Sequence, residues 1–157
     1  WRFVKQIFPL LIAGVFMVGV IRPVIRPEWI QGIAGENTAI GNLAGVFFGI
    51  FMYFPTLVEV PIAKMFLELG MHKGPLLAYL MADPELSLQS MLITAAIIGR
   101  LKTFAYVICV AIFSAVSGFL YGLWIDGTGL LVIGAYLAAF LAILLLMLWR
   151  INQQTAR

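Results

Sequence analysis

Four stretches of this chain, Ile7–Ile21, Thr38–Phe54, Thr103–Trp124 and Gly129–Trp149, contain no Asp, Glu, Lys or Arg. Each is long enough, or almost so, to cross about 30 Å of hydrocarbon as a helix. Composition closes off a soluble alternative. Of 157 residues, 63% are hydrophobic and 11% charged, with a mean hydropathy of +1.06. A soluble domain carries about a quarter charged residues, and no water-facing surface can be built from so few. The expected fold is therefore all-α: a polytopic helical membrane protein of about six membrane segments, one or two of them broken or re-entrant. Residues 1–157 form a single transmembrane domain in this reading. No stretch reads as a removable leader, because apolar segments continue to the end of the chain. The chain opens on Trp1 rather than Met, and the expectation is a processed product or a piece of something longer.

Several function classes drop out on residue types. The net charge of +3 does not point to nucleic acid, because the Lys and Arg residues sit at segment ends, where they orient a membrane protein. Cys109 is the single cysteine and lies inside an apolar run, which excludes an intramolecular disulfide or a cysteine metal cluster. His72 is the single histidine, which argues against a histidine metal site or a Ser-His-Asp triad. No catalytic residues, metal site or cofactor are assigned, and the chain is not read as an enzyme.

Along the chain, Arg22, Pro23, Arg26 and Pro27 stop the first segment, and Pro27–Ile33 reads as a short helix in the interface with Trp29 at headgroup depth. The second segment carries Gly41, Gly45 and Gly49 at spacing four, and the fifth carries Ser114, Gly118 and Gly122 likewise. Both are small-residue ridges of the kind that lets a neighbouring helix approach closely. Asp126–Gly129 turns the chain into the last helix. Basic residues at the first segment, at Arg100–Lys102 and at the C-terminus place both termini in the cytoplasm. Arg22–Asn37, His72–Gly74 and Asp126 then share the outer side, at the cost of placing Arg22, Arg26 and Lys73 there too.

The stretch from Pro55 to Gly99 departs from this pattern, with ionisable residues inside apolar sequence, where each costs about 2.5–3.5 kcal/mol at a helix centre. Pro55 sits where a helix starts, followed by Thr56 and, one turn on, by Glu59. Pro61 withholds the donor that the carbonyl of Leu57 needs, leaving an acceptor free for a cation or polar substrate. Lys64 and Glu68 are four apart and suit a salt bridge. Glu59 has no basic residue at that spacing and is the stronger functional candidate. Further on, Asp83 suits an N-cap, Pro84 a first helical residue and Glu85 the first turn, with Ser87 just beyond. This helix start in mid-membrane fits either a broken helix lining a wet cavity or a surface loop between two re-entrant arms.

Tyr53–Pro61, Gly70–Pro75 and Leu80–Leu88 together resemble the signature of the predicted-permease family that includes the organoarsenical-efflux permeases. Pro55-Thr56-Leu57-Val58-Glu59-Val60-Pro61 and the later Pro84-Glu85-Leu86-Ser87-Leu88 are its specific parts. The resemblance covers about residues 1–120 and is to the C-terminal half of a longer permease, in a family taken to be polytopic transporters built from two related halves. Where arsenical-linked members carry a Cys-x-Cys-type motif, this chain has Tyr53–Pro55, which points away from a thiophilic arsenical. The family's small residues around the second break are Asp83-Pro84-Glu85 here, which fits a cation-coupled variant or a chain that kept the fold without transport.

The resulting expectation is a permease subunit or half-transporter for a small solute, coupled to a cation or a proton. Its pathway is lined by Pro55, Thr56, Glu59, Pro61, Asp83, Pro84, Glu85 and Ser87. The partners expected are the lipid bilayer and a second permease half, a homodimer mate or other membrane subunits, with no nucleic acid. The expected location is a prokaryotic inner membrane. A non-transporting structural subunit of a larger membrane complex is the competing expectation.

Overall fold

The computed structural model describes residues 2–51 and 56–155, and among them every regular element is a helix. The order is α1 (Arg2–Ile21), α2 (Pro27–Ala34), α3 (Ala39–Phe51), α4 (Thr56–Glu68), α5 (Lys73–Leu86), α6 (Leu88–Ile98), α7 (Arg100–Ile125) and α8 (Leu130–Thr155). Among the described residues, two helices are long and apolar enough to cross a membrane, Arg100–Ile125 and Leu130–Ile151, with mean hydropathies of 2.1 and 2.8. Only 17% and 0% of their most apolar windows are buried within the chain. They are therefore not the core helices of a soluble fold, and their apolar surface suits lipid. Of the six membrane segments expected from sequence, these two stand as full spans among the described residues, and the other six helices precede them in the chain. At 1.5 Å per residue, the 13 and 14 residues of α4 and α5 reach only about 20 Å each, short of the hydrocarbon thickness.

Helix α5 is the centre of the assembly, packing most extensively against α7 and α3. Small residues permit this. A Cβ on Gly45 would strike the carbonyl oxygen of Pro75, and one on Gly49 would lie 3.0 Å from the Tyr79 carbonyl oxygen and 3.1 Å from the Asp83 nitrogen. On the other side, a Cβ on Gly118 would lie 2.6 Å from the Gly74 carbonyl oxygen and 2.8 Å from the Ala78 Cβ. Ser114 of the same ridge is buried, and Gly122 lies against the Asn37 amide. Gly41 faces different neighbours, the carbonyl of Ile33 near the end of α2 and that of Glu36 in the link to its own helix. The remaining core is the layer formed by α4 with α2 and α5, where Val58, Ile62, Met65 and Phe66 pack with Ile30, Ala34, Leu76 and Tyr79.

Helix ends follow local chemistry. Helix α4 stops at Gly70, whose φ of +93° suits glycine. Gly70 donates to the carbonyl of Leu67 (3.0 Å) and Met71 to that of Phe66 (2.9 Å), the paired bonds of a Schellman ending. His72 then caps α5, its side chain accepting from the Gly74 amide at 3.1 Å. Helix α7 ends the same way at Gly127, with φ +80°. There Gly127 bonds back to Trp124 and Thr128 to Leu123.

The second break differs from the one expected. Helix α5 runs continuously through Asp83, Pro84 and Glu85 to Leu86, so Pro84 stands in its last turn and does not open α6. Ser87 opens α6 instead, with extended backbone (φ −57°, ψ 143°) and a side chain that accepts from the Ser90 amide at 3.2 Å. The physical reason is that Pro84 removes the bond to the Leu80 carbonyl without ending the helix at once. The chain continues for less than a turn, until a better cap, Ser87, takes over. The corresponding expectation that Pro55 starts a helix lies outside the described residues; α4 is described from Thr56.

Candidate functional site

Asp83, read from sequence as the N-cap of a helix and a pathway residue, is a fully buried side chain inside α5, with 0% exposure. Its position on α5 is fixed from two sides. The close approach of α3 at Gly49 brings that backbone against Tyr79 and Asp83, while α4 covers the other flank through Phe66, whose ring meets Tyr79 edge-on at 5.5 Å. Tyr79 lies one helical turn before Asp83, on the same face, and is also 0% exposed. Neither carboxylate oxygen of Asp83 accepts from a donor group and the Tyr79 hydroxyl has no partner; the group that meets Asp83 is the Glu59 carboxyl, itself an acceptor when ionised. The half-buried Glu59 of α4 faces both groups electrostatically. Two carboxyl groups and a phenol from two helices thus converge in apolar surroundings.

The other expected site residues separate from this cluster. Glu85 is exposed, since two residues along a helix is roughly 200° of rotation from Asp83. Its Oε2 accepts a 2.6 Å hydrogen bond from the Tyr106 hydroxyl of α7. Pro84 is exposed beside it and Ser87 is buried at the α5–α6 joint, where its hydroxyl donates to Ser90 Oγ at 2.9 Å. Pro61 lies inside α4, half-buried, so the carbonyl of Leu57 has no amide partner four residues on. Thr56 is the first described residue of α4, and Pro55 lies outside the described residues. The expected Lys64–Glu68 bridge is replaced: Glu68 pairs with Arg22 at the end of α1, 2.8 Å away, joining α1 to α4 across the bundle.

Two polar features went unread in the sequence. Asn42, wholly buried on α3, donates to Asn37 Oδ1 (2.9 Å) and to the Thr38 carbonyl (2.8 Å), while Asn37 donates to the Phe119 carbonyl of α7 (2.9 Å). His72 is the second. Its amide donates to the Ala34 carbonyl (2.8 Å) and its Nε2 meets Asp126 Oδ1 at 2.9 Å. Because Nδ1 already accepts from Gly74, the geometry places the ring proton on Nε2, donating to Asp126. The loops around Ala34–Asn37, His72 and Asp126 therefore meet at one end of the helices. A single asparagine between two ridge glycines was the available signal for Asn42, and Tyr79 at four residues before Asp83 was the signal for the buried phenol.

Comparison with known proteins places this arrangement. A family model described as a predicted permease matches residues 1–123. The chain belongs to this predicted-permease family. A UPF0718 protein of Methanocaldococcus jannaschii is 42% identical over 119 residues, which is 76% of this chain and 33% of that protein. The chain thus spans about a third of the length of that relative. No solved structure matches. The family match takes in α1–α6 and most of α7, including every residue of the Glu59–Tyr79–Asp83 cluster, and ends before α8. Membership, together with the two long apolar helices, makes this an integral membrane protein.

Proposed function

We propose that the chain is one part of a permease that moves a small solute past Glu59 and Asp83, with a cation or a proton as the coupling species. The observation that carries this reading is the pair of carboxylate oxygens without a donor on a fully buried Asp83. Groups buried for stability have their hydrogen bonds made, and an exception calls for a function. A second acid and a phenol beside it supply a polar path through otherwise apolar packing. For the competing reading, a structural subunit, acids on an outer surface against a neighbour would be the supporting arrangement, and the buried position of Asp83 favours the pathway instead.

The half-transporter element of the proposal draws on length and surface. The chain spans a third of its relative, and an apolar groove of about 250 Å³ between α3 and α7, lined by Ala39, Leu43, Ile112 and Phe119, faces outward. A second half or a second copy is the partner proposed, in a prokaryotic inner membrane with both termini cytoplasmic. The absence of the Cys-x-Cys-type motif makes a non-thiophilic solute the proposed cargo. The test is uptake of a panel of small solutes into reconstituted vesicles. Glu59→Gln and Asp83→Asn should each lower uptake or alter its pH dependence while expression stays normal. Uptake indifferent to both substitutions would defeat the pathway.

A further inference from the structure

Asp83 poses a specific chemical problem. Its carboxyl group has no exposed surface, no donor on either oxygen, and a second carboxyl, Glu59, facing it from α4. Two ionised carboxylates share such a place only at high energetic cost, because burial and like charge both oppose the second charge. Among the described residues, the helices packed against α5 place no cation beside it, and on α1, which packs against α4, Lys5 is exposed. Helices α3 and α6 contain no ionisable residue at all. On α4, Lys64 is exposed and Glu68 is engaged by Arg22. On α7, Arg100, Lys102 and Cys109 are exposed, Tyr106 is bound to Glu85, and Tyr121 lies more than four turns further on. On α5 itself, Lys73 is exposed at the opposite end and Glu85 points away. The Tyr79 hydroxyl, buried and unpartnered, is the remaining polar group of the cluster.

We propose that Glu59 and Asp83 bind a single proton between them, and that this shared proton is the coupling species of the permease. The inference rests on the pathway reading above and chooses between the two couplings it leaves open. Binding takes the pair from two negative charges to one. The proton comes from water at the half-buried Glu59 and passes to an oxygen of the buried Asp83. The product is a charge-assisted O–H···O⁻ bond, which satisfies one of the orphaned Asp83 oxygens. Tyr79 lies beside it as a hydroxyl able to donate to the other. A metal cation is the less suitable occupant. It needs several oxygens around it at once, and the flanking α4 residues Ile62 and Phe66 are apolar and buried at 2% and 1% exposure. A proton requires no such space.

Infrared difference spectroscopy of the full chain in lipid vesicles, without solute, tests this directly. The expected result at neutral pH is the carbonyl stretch of a buried, protonated carboxylic acid, shifted on exchange into D₂O and unchanged by added NaCl or KCl. That signal should disappear in Asp83→Asn. It should also disappear in Glu59→Gln, where the amide donates to the Asp83 carboxylate and removes the like charge. Absence of the signal in the unsubstituted protein overturns the proposal, and so does its collapse on adding Na⁺ or K⁺ at fixed pH, which would assign the site to a metal cation. These wild-type measurements stand even if a variant fails to fold. If the signal is absent while Glu59→Gln still impairs uptake, the pathway survives and proton binding does not. If the signal is present while uptake ignores both substitutions, the proton site survives and the pathway does not.

Discussion

Gly118→Ala is the sharpest probe of how the helices are held together. The added Cβ would lie 2.5 Å from Asn42 Oδ1, 2.6 Å from the Gly74 carbonyl oxygen and 2.8 Å from the Ala78 Cβ. Two of these neighbours are on α5 and cannot swing aside, being a backbone carbonyl and a methyl fixed to its helix. Asn42 is itself held by Asn37 and Thr38. Relief therefore requires α7 to move bodily away from α5, and overpacking of this kind costs about 1–3 kcal/mol. With three contacts this tight the upper end applies, about 3 kcal/mol. Alanine returns about 1 kcal/mol through helix propensity. The net loss is about 2 kcal/mol, roughly a thirtyfold fall in the folded-to-unfolded ratio. Gly134→Ala on α8 is the matched control, since nothing lies within 4 Å of its Cβ position; it should be neutral or stabilised by up to about 1 kcal/mol. The assay is unfolding of purified protein in mixed micelles by titrated denaturing detergent, followed by circular dichroism. Equal midpoints for the two variants would refute the claim that α7 and α5 are in backbone contact at Gly118.

Two further outcomes follow from the helix ends. Ser87→Ala should cost about 1 kcal/mol in the same assay, because it removes the acceptor for the Ser90 amide at the start of α6; Ser87→Asn, which keeps a capping oxygen, should recover most of the loss. His72→Ala should cost about 1 kcal/mol or more, since it removes both the cap on α5 and the link to Asp126. Asp126→Asn should cost less than that, because it leaves the cap in place.

Helix content and the two ridges were legible in the sequence because they depend on local runs and fixed spacing. Leu130–Ile151 carries its own signal whatever it packs against, and Gly41, Gly45 and Gly49, like Ser114, Gly118 and Gly122, recur at the four-residue spacing of a helix face. The acids were harder to place, because burial is a tertiary property. Asp83-Pro84-Glu85 has the letters of a helix start, and the same letters fit the last turn of a helix capped downstream by Ser87. Local preference favoured the first arrangement. The packing of α5 between α3 and α7 selected the second, since ending α5 at Ala82 would have stripped the core of Leu86, which is fully buried with Val46 and Ala115.

That displacement of the break by a few residues changes what Asp83 can do. As a cap it would spend one oxygen on an amide at the start of α6 and face the joint between two helices. Inside α5 the backbone amides around it are already committed to the helix, so its carboxyl has nothing local to bind. It projects instead toward whatever α4 presents, and α4 presents Glu59. The acid at position 85, rotated to the far side, is left to anchor α5 to Tyr106 of α7. One proline-containing turn thereby sorts two acids, on either side of Pro84, into different tasks, one holding helices together and one left chemically unsatisfied in the interior. The unsatisfied group is the one on which transport is proposed to act, and Ser87, by capping α6 in place of Asp83, is what leaves it free.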